Sequence, residues 1–165
     1  MDETLISILV GTSGLGVAAV IALHLTFTRC PSGPGIHLIP IGALAIAFQG
    51  LHFAEELATG FHVRFPEMLG LAPWPLSFFV TFNLVWIVVW GLSLLGLSGH
   101  VRAAYFPLWF LGIGSAVNGV AHPILFMVES GYFPGLLTSP IVGLLGVLLF
   151  RELFLQTRVE RAAGE

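Results

Sequence analysis

The chain has 165 residues, of which 56% are hydrophobic and only 9% charged, with a formal net charge of −3. Soluble domains carry roughly a quarter charged residues, so this composition excludes an ordinary soluble fold and reads as an integral membrane protein. The six basic residues are scattered arginines with no basic stripe, which excludes nucleic acid as a partner. The single cysteine, Cys30, excludes an intramolecular disulfide.

Five apolar runs follow one another. The first covers about residues 5–27; acidic Asp2 and Glu3 precede it where a cleavable signal would be positive, so a retained span is expected. Arg29 and the Pro- and Gly-rich residues 30–35 then read as a loop. The second run covers about 37–59. Residues 60–74, with His62, Arg64 and Glu67 between several prolines, read as a long connection. The third covers about 75–97 and the fourth about 103–128. The fifth, about 136–156, is expected to continue as a polar helical tail through Arg158 and Arg161.

The runs are continuous and do not alternate with period two, so they predict helices and not barrel strands. The expectation is an all-α bundle of about five transmembrane helices forming one domain over residues 1–165, without an internal repeat. In a five-span arrangement Arg29, Arg102, Arg151, Arg158 and Arg161 share one side, and only Arg64 faces the other. The positive-inside rule then puts the N-terminus outside and the C-terminus in the cytoplasm.

The second run carries His52-Phe53-Ala54-Glu55-Glu56. A carboxylate at bilayer depth costs about 2.5–3.5 kcal/mol even on mild insertion scales, so two in succession point to a chemical or transport site. At 1.5 Å per residue, His52 lies about 21 Å from the arginine-rich end of its span and Glu55 and Glu56 about 26–27 Å. Asn118 and His122 of the fourth span fall at about 21 and 27 Å, and Asn83 of the third at about 21 Å. Three spans thus bring their polar residues to one level.

Glu55 and Glu56 lie three and four residues from His52, within about one helical turn. Ser115, Asn118 and His122 form a stripe, and Ser115 with Gly119 makes a small-xxx-small pair that admits a close neighbour. Pro123 removes a helical hydrogen bond beside His122 and is expected to kink the fourth span. Two histidines and one carboxylate, His52, His122 and Glu56, suit a divalent metal, zinc or iron, with an open position for water. Glu55 then serves as general base or mobile proton carrier, and Asn118 stabilises developing charge. A metal-free site is equally writable, with a protonated Glu as proton shuttle.

Structural readings stand beside these. Gln49 and Asn83 serve as interhelical glue or as part of the site. Trp74, Tyr105, Trp109 and Tyr132 read as aromatic-belt anchors, and His24, His37, His62 and His100 as interfacial. Trp86 and Trp90, deeper, read as packing residues or pocket walls.

The His-x-x-Glu-Glu element with Asn118-Gly119-Val120-Ala121-His122 resembles the HXXEE family of small bacterial membrane proteins, from the second span through the fourth. The resemblance implies a bacterial inner-membrane protein of an enzyme-like family without an established reaction, with these residues as its site. The Glu pair is also similar to that of intramembrane CAAX-type proteases, but the arginine expected after it is absent. Residue types alone are similar to the five-span sterol-isomerase-like fold. The expected function is a membrane-embedded enzyme using acid–base, metal-assisted hydrolytic chemistry on an apolar lipid- or isoprenoid-like substrate. The alternatives are a metal-free isomerase or cyclase and a non-enzymatic lipid- or metal-binding membrane protein. Lipids are the expected surroundings; the sequence leaves the oligomeric state open.

Overall fold

The computed structural model describes residues 2–32, 35–99 and 101–159, so His100 and Arg161 lie outside it. The described residues form seven α-helices: α1 (Glu3–Gly11), α2 (Ser13–Thr28), α3 (Ile39–Thr59), α4 (Phe61–Met68), α5 (Leu76–Ser98), α6 (Tyr105–Glu129) and α7 (Ser139–Gln156). Single 3-10 turns, Gly35–Leu38 and Arg102–Ala104, lead into α3 and α6. Four helices are long and apolar enough to cross a membrane, and the bent pair α1 and α2 brings the number to five if it crosses as one. Exposed Val88, Leu92 and Leu95 on α5 have the outward apolar character of a lipid-facing surface. Leu97, Leu108, Trp109, Leu149 and Leu153 fill the core between helices.

Three expectations are corrected. The first run is not one straight span: α1 and α2 meet at Thr12 with a 48° bend. The local sequence Gly11-Thr12-Ser13-Gly14 has weak helix propensity, and the hydroxyls of Thr12 and Ser13 donate to the Ile8 and Val10 carbonyls, a known source of kinks. Residues 60–74 are not all loop. Gly60, at φ 79°, ends α3 in a left-handed turn, and α4 starts at the next residue. Residues 157–159 do not continue α7 as a helical tail either: β2 (Thr157–Val159) pairs antiparallel with β1 (Arg29–Pro31). A fourth expectation gains no support, since α6 runs unbroken through Pro123.

The β1–β2 pair ties the end of α2 to the end of α7. Arg29 caps this junction through the Phe154 and Thr157 carbonyls, and Arg102 reaches the Thr26 and Phe27 carbonyls at the same end. Arg64 lies at the opposite end, against the Tyr132 carbonyl and Glu129. The arginine segregation expected from the loops is therefore present in three dimensions.

The expected close approach at Ser115 and Gly119 occurs, against α7. A Cβ added to Gly143 would sit 2.6 Å from the Gly119 Cα, and one added to Gly146 would sit 2.5 Å from the Ala116 N. Gly143→Leu is expected to force the two backbones apart, costing about 3 kcal/mol and roughly 6–12 °C of Tm. Gly50→Ala, where an added Cβ meets nothing within 4 Å, is the thermal-melt comparison expected to stay within about 2 °C.

Candidate metal centre

One turn of α3 sets His52 and Glu56 on a single face, and α6 presents His122 opposite them. The two helices are joined one turn below, where Ser115 Oγ donates to Gln49 Oε1 at 3.2 Å. Glu56 Oε1 lies 3.4 Å from His52 Nε2 and 3.5 Å from His122 Nε2. One ligand atom from each of the three residues falls within 4.8 Å of the others. His52, Glu56 and His122 are 0%, 7% and 2% exposed, so the cluster is closed to solvent on most sides.

These distances are informative. A charge-assisted N–H to carboxylate bond is about 2.7–2.9 Å, so Glu56 is too far from either imidazole for one. Two ligands bound about 2.0–2.1 Å from an ion at a tetrahedral angle are about 3.3–3.4 Å apart. Glu56 stands at that spacing from both histidines. His52 Nε2 is buried with no hydrogen-bond partner, as is His122 Nδ1 on the far side of its ring. A divalent ion would satisfy the first of these atoms; the donor set and its spacing fit one.

Behind His52 lies a hydrogen-bonded support. Its Nδ1 is 2.7 Å from Thr138 Oγ1, and the Thr138 hydroxyl donates to Glu55 Oε2 at 2.6 Å. With that proton directed to Glu55, the Thr138 oxygen accepts from His52 Nδ1–H, which leaves a bare lone pair on Nε2. This is the tautomer a metal ligand requires, fixed by the outer partner. Glu55 is itself held by four donors: the Thr138 hydroxyl, the Thr138 and Leu137 backbone N–H groups (2.9 Å each) and the Tyr132 hydroxyl (2.7 Å). The expectation of a mobile proton carrier at Glu55 is therefore corrected, because its carboxylate is anchored to the loop before α7. Burial, then the bond to Glu55, pushes the Tyr132 hydroxyl above the usual tyrosine range, which keeps it a donor.

The loop of residues 131–138 closes the site. Gly135, at φ 86°, passes so near the imidazoles that an added Cβ would lie 2.5 Å from His122 Cε1 and 2.8 Å from His52 Cε1. Phe133, fully buried, and Phe61 of α4 flank His122 with ring centroids 6.2 and 5.7 Å away. The two histidine rings meet edge to face at 4.7 Å.

On its open side the cluster borders a cavity of about 250 Å³ between α2, α3, α5 and α6. Glu56, His122, Gln49, Ser115, Asn118 and Asn83 all line it, so the common level expected from span depths is realised. Asn118 makes no hydrogen bond among the described residues, whereas Asn83 donates to the Phe79 carbonyl of its own helix. Gln49 does serve as interhelical glue. Trp86 and Trp90 are walls of the cavity, and so is Trp74, buried rather than placed in a belt. Tyr105 and Trp109 are likewise buried in the helical core, so these two and Trp74 are not belt anchors, whereas Tyr132 is exposed and donates to Glu55. His62 stacks on Phe79 at 5.7 Å, while His24 and His37 are exposed.

Thr138, Tyr132 and Gly135 escape the sequence reading. They lie in a loop without periodicity, 86 residues from His52 in the case of Thr138. The Pro134-Gly135 pair signals a turn there and nothing more. No protein-family profile, no curated protein and no solved structure matches the chain.

Proposed function

We propose that this protein is a membrane-embedded, metal-dependent hydrolase acting on an apolar substrate held in the cavity. The observation that carries this reading is the placement of Glu56 at metal-ligand spacing from two buried imidazoles, one of them fixed in the ligating tautomer. His52, Glu56 and His122 hold the ion. A bound zinc or iron would supply Lewis acidity and water activation near neutral pH. Asn118, on the cavity wall one turn from His122, provides an uncommitted amide for charge that develops on a substrate oxygen. Glu55 positions His52 through Thr138 and stays out of the chemistry. The site sits near the end carrying Arg64, so the positive-inside rule places it in the outer half of the membrane, with α7 ending on the cytoplasmic side.

Hydrolysis of p-nitrophenyl decanoate by detergent-solubilised protein tests the reading. The expected result is turnover abolished by a chelator and recovered with zinc or iron, and lowered at least about 100-fold in Glu56→Gln. Turnover that survives both treatments would contradict it.

A further inference from the structure

The cavity beside Glu56 and His122 has no lysine or arginine in its lining. Besides Glu56 and His122 its polar groups are neutral, the amides of Gln49, Asn83 and Asn118 and the hydroxyls of Ser115 and Thr12, while the remainder is dominated by aromatic side chains. A buried anion without a cation partner is strongly disfavoured. With no cationic side chain in the lining, the one counter-charge for a phosphate- or carboxylate-headed lipid would be an ion held at Glu56 and His122, so in metal-free protein an anionic head is unmatched. At about 250 Å³ the space lies just under the roughly 300–1,000 Å³ of drug-sized sites, enough for one chain segment and not for a two-chain phospholipid.

Entry is from the side. Among the lining residues, Gly14 of α2 and Val117 of α6 are the exposed ones, and both lie within apolar spans. A Cβ added at Gly14 or at Gly114 would meet nothing within 4 Å, so open space lies on both helices at this level. The Thr12 bend, whose Gly11 and Thr12 also line the cavity, lays α1 against α4 and the residues before Trp74, where Ser7 Oγ donates to the Ala72 carbonyl.

We propose that the cavity takes a single hydrocarbon or prenyl chain with an uncharged, hydrogen-bonding head such as an ester, amide or alcohol, entering from the lipid beside Gly14 at the start of α2. This rests on reading the cavity as the substrate site and deepens it. The amides meet the neutral head, and the aromatic walls take the chain.

Three of the four tryptophans, Trp74, Trp86 and Trp90, line the cavity, so chains carrying bromine, a contact quencher, report entry. In titrations of the solubilised protein stripped of metal with a chelator, ω-bromodecanamide is expected to quench saturably and ω-bromodecyl phosphate at least tenfold more weakly. Gly114→Phe is expected to weaken the amide response at least tenfold, and Gly114→Ala to retain it. Equal quenching by both probes, or no saturable quenching by the amide, would overturn the proposal even if Gly114→Phe does not fold. An undiminished response in folded Gly114→Phe would also overturn it. Metal uptake by the same wild-type protein, measured separately, keeps the two readings apart: failed quenching in protein that takes up zinc or iron on addition sinks this inference and leaves the metal centre standing.

Discussion

Gly135→Ala is expected to lose the metal centre while leaving the helices in place. The new Cβ would lie 2.5 Å from His122 Cε1 and 2.8 Å from both His122 Nδ1 and His52 Cε1, well inside contact distance. Neither ring has room to retreat, because His52 is pinned to Thr138 and His122 is flanked by Phe61 and Phe133. The loop or the imidazoles must shift by about an ångström, and ligand distances tolerate only about 0.2 Å. Together with the cost of a left-handed alanine, the stability loss should be about 2–4 kcal/mol. Zinc affinity, read by chelator competition, should fall on the order of 100-fold or more. Gly70→Ala isolates the backbone contribution: φ is 70° there, yet an added Cβ meets nothing within 4 Å. That variant should lose about 1 kcal/mol and keep its metal.

The second large effect concerns residues that touch no ion. Thr138→Val removes the acceptor that orients His52 Nδ1–H and takes one donor from Glu55. Metal affinity is expected to drop about 10–100-fold, the usual effect of losing an outer-shell partner. Thr138→Ser, which keeps the hydroxyl, should recover most of it, a rescue that loss of packing alone would not give. Glu55→Gln should be at least as damaging. All four of its partners donate, and in either orientation the amide turns its NH2 on one backbone N–H, that of Leu137 or that of Thr138, which cannot reverse direction. Wild-type affinity in both Thr138→Val and Glu55→Gln would show that the support behind His52 is inert.

The parts of the molecule governed by short-range periodicity were legible in the sequence. Apolar run length located the spans to within a few residues, because a bilayer demands about twenty apolar residues per crossing. The i to i+4 rule paired His52 with Glu56, and rise per residue alone brought His122 to them. The Thr12 bend had a readable signal in Gly11-Thr12-Ser13-Gly14, overridden by the length of the run. Residues 61–68 read as loop because of Pro66, which the short helix tolerates close to its end. The β1–β2 pair and the 131–138 loop were not legible, since both depend on which chain ends meet. Thr138 is polar for the sake of a histidine in another span. The same ignorance of the loop misplaced Glu55: the carboxylate looked free only while its four donors were out of view.

The central claim is that His52, Glu56 and His122 form a metal centre. Elemental analysis of the purified, folded protein tests it most directly, alongside His52→Ala and Glu56→Gln. The expected result is about one zinc or iron per wild-type chain, lost in both variants while their helical content is retained. Folded wild type that carries no metal and takes up neither zinc nor iron on addition would contradict it.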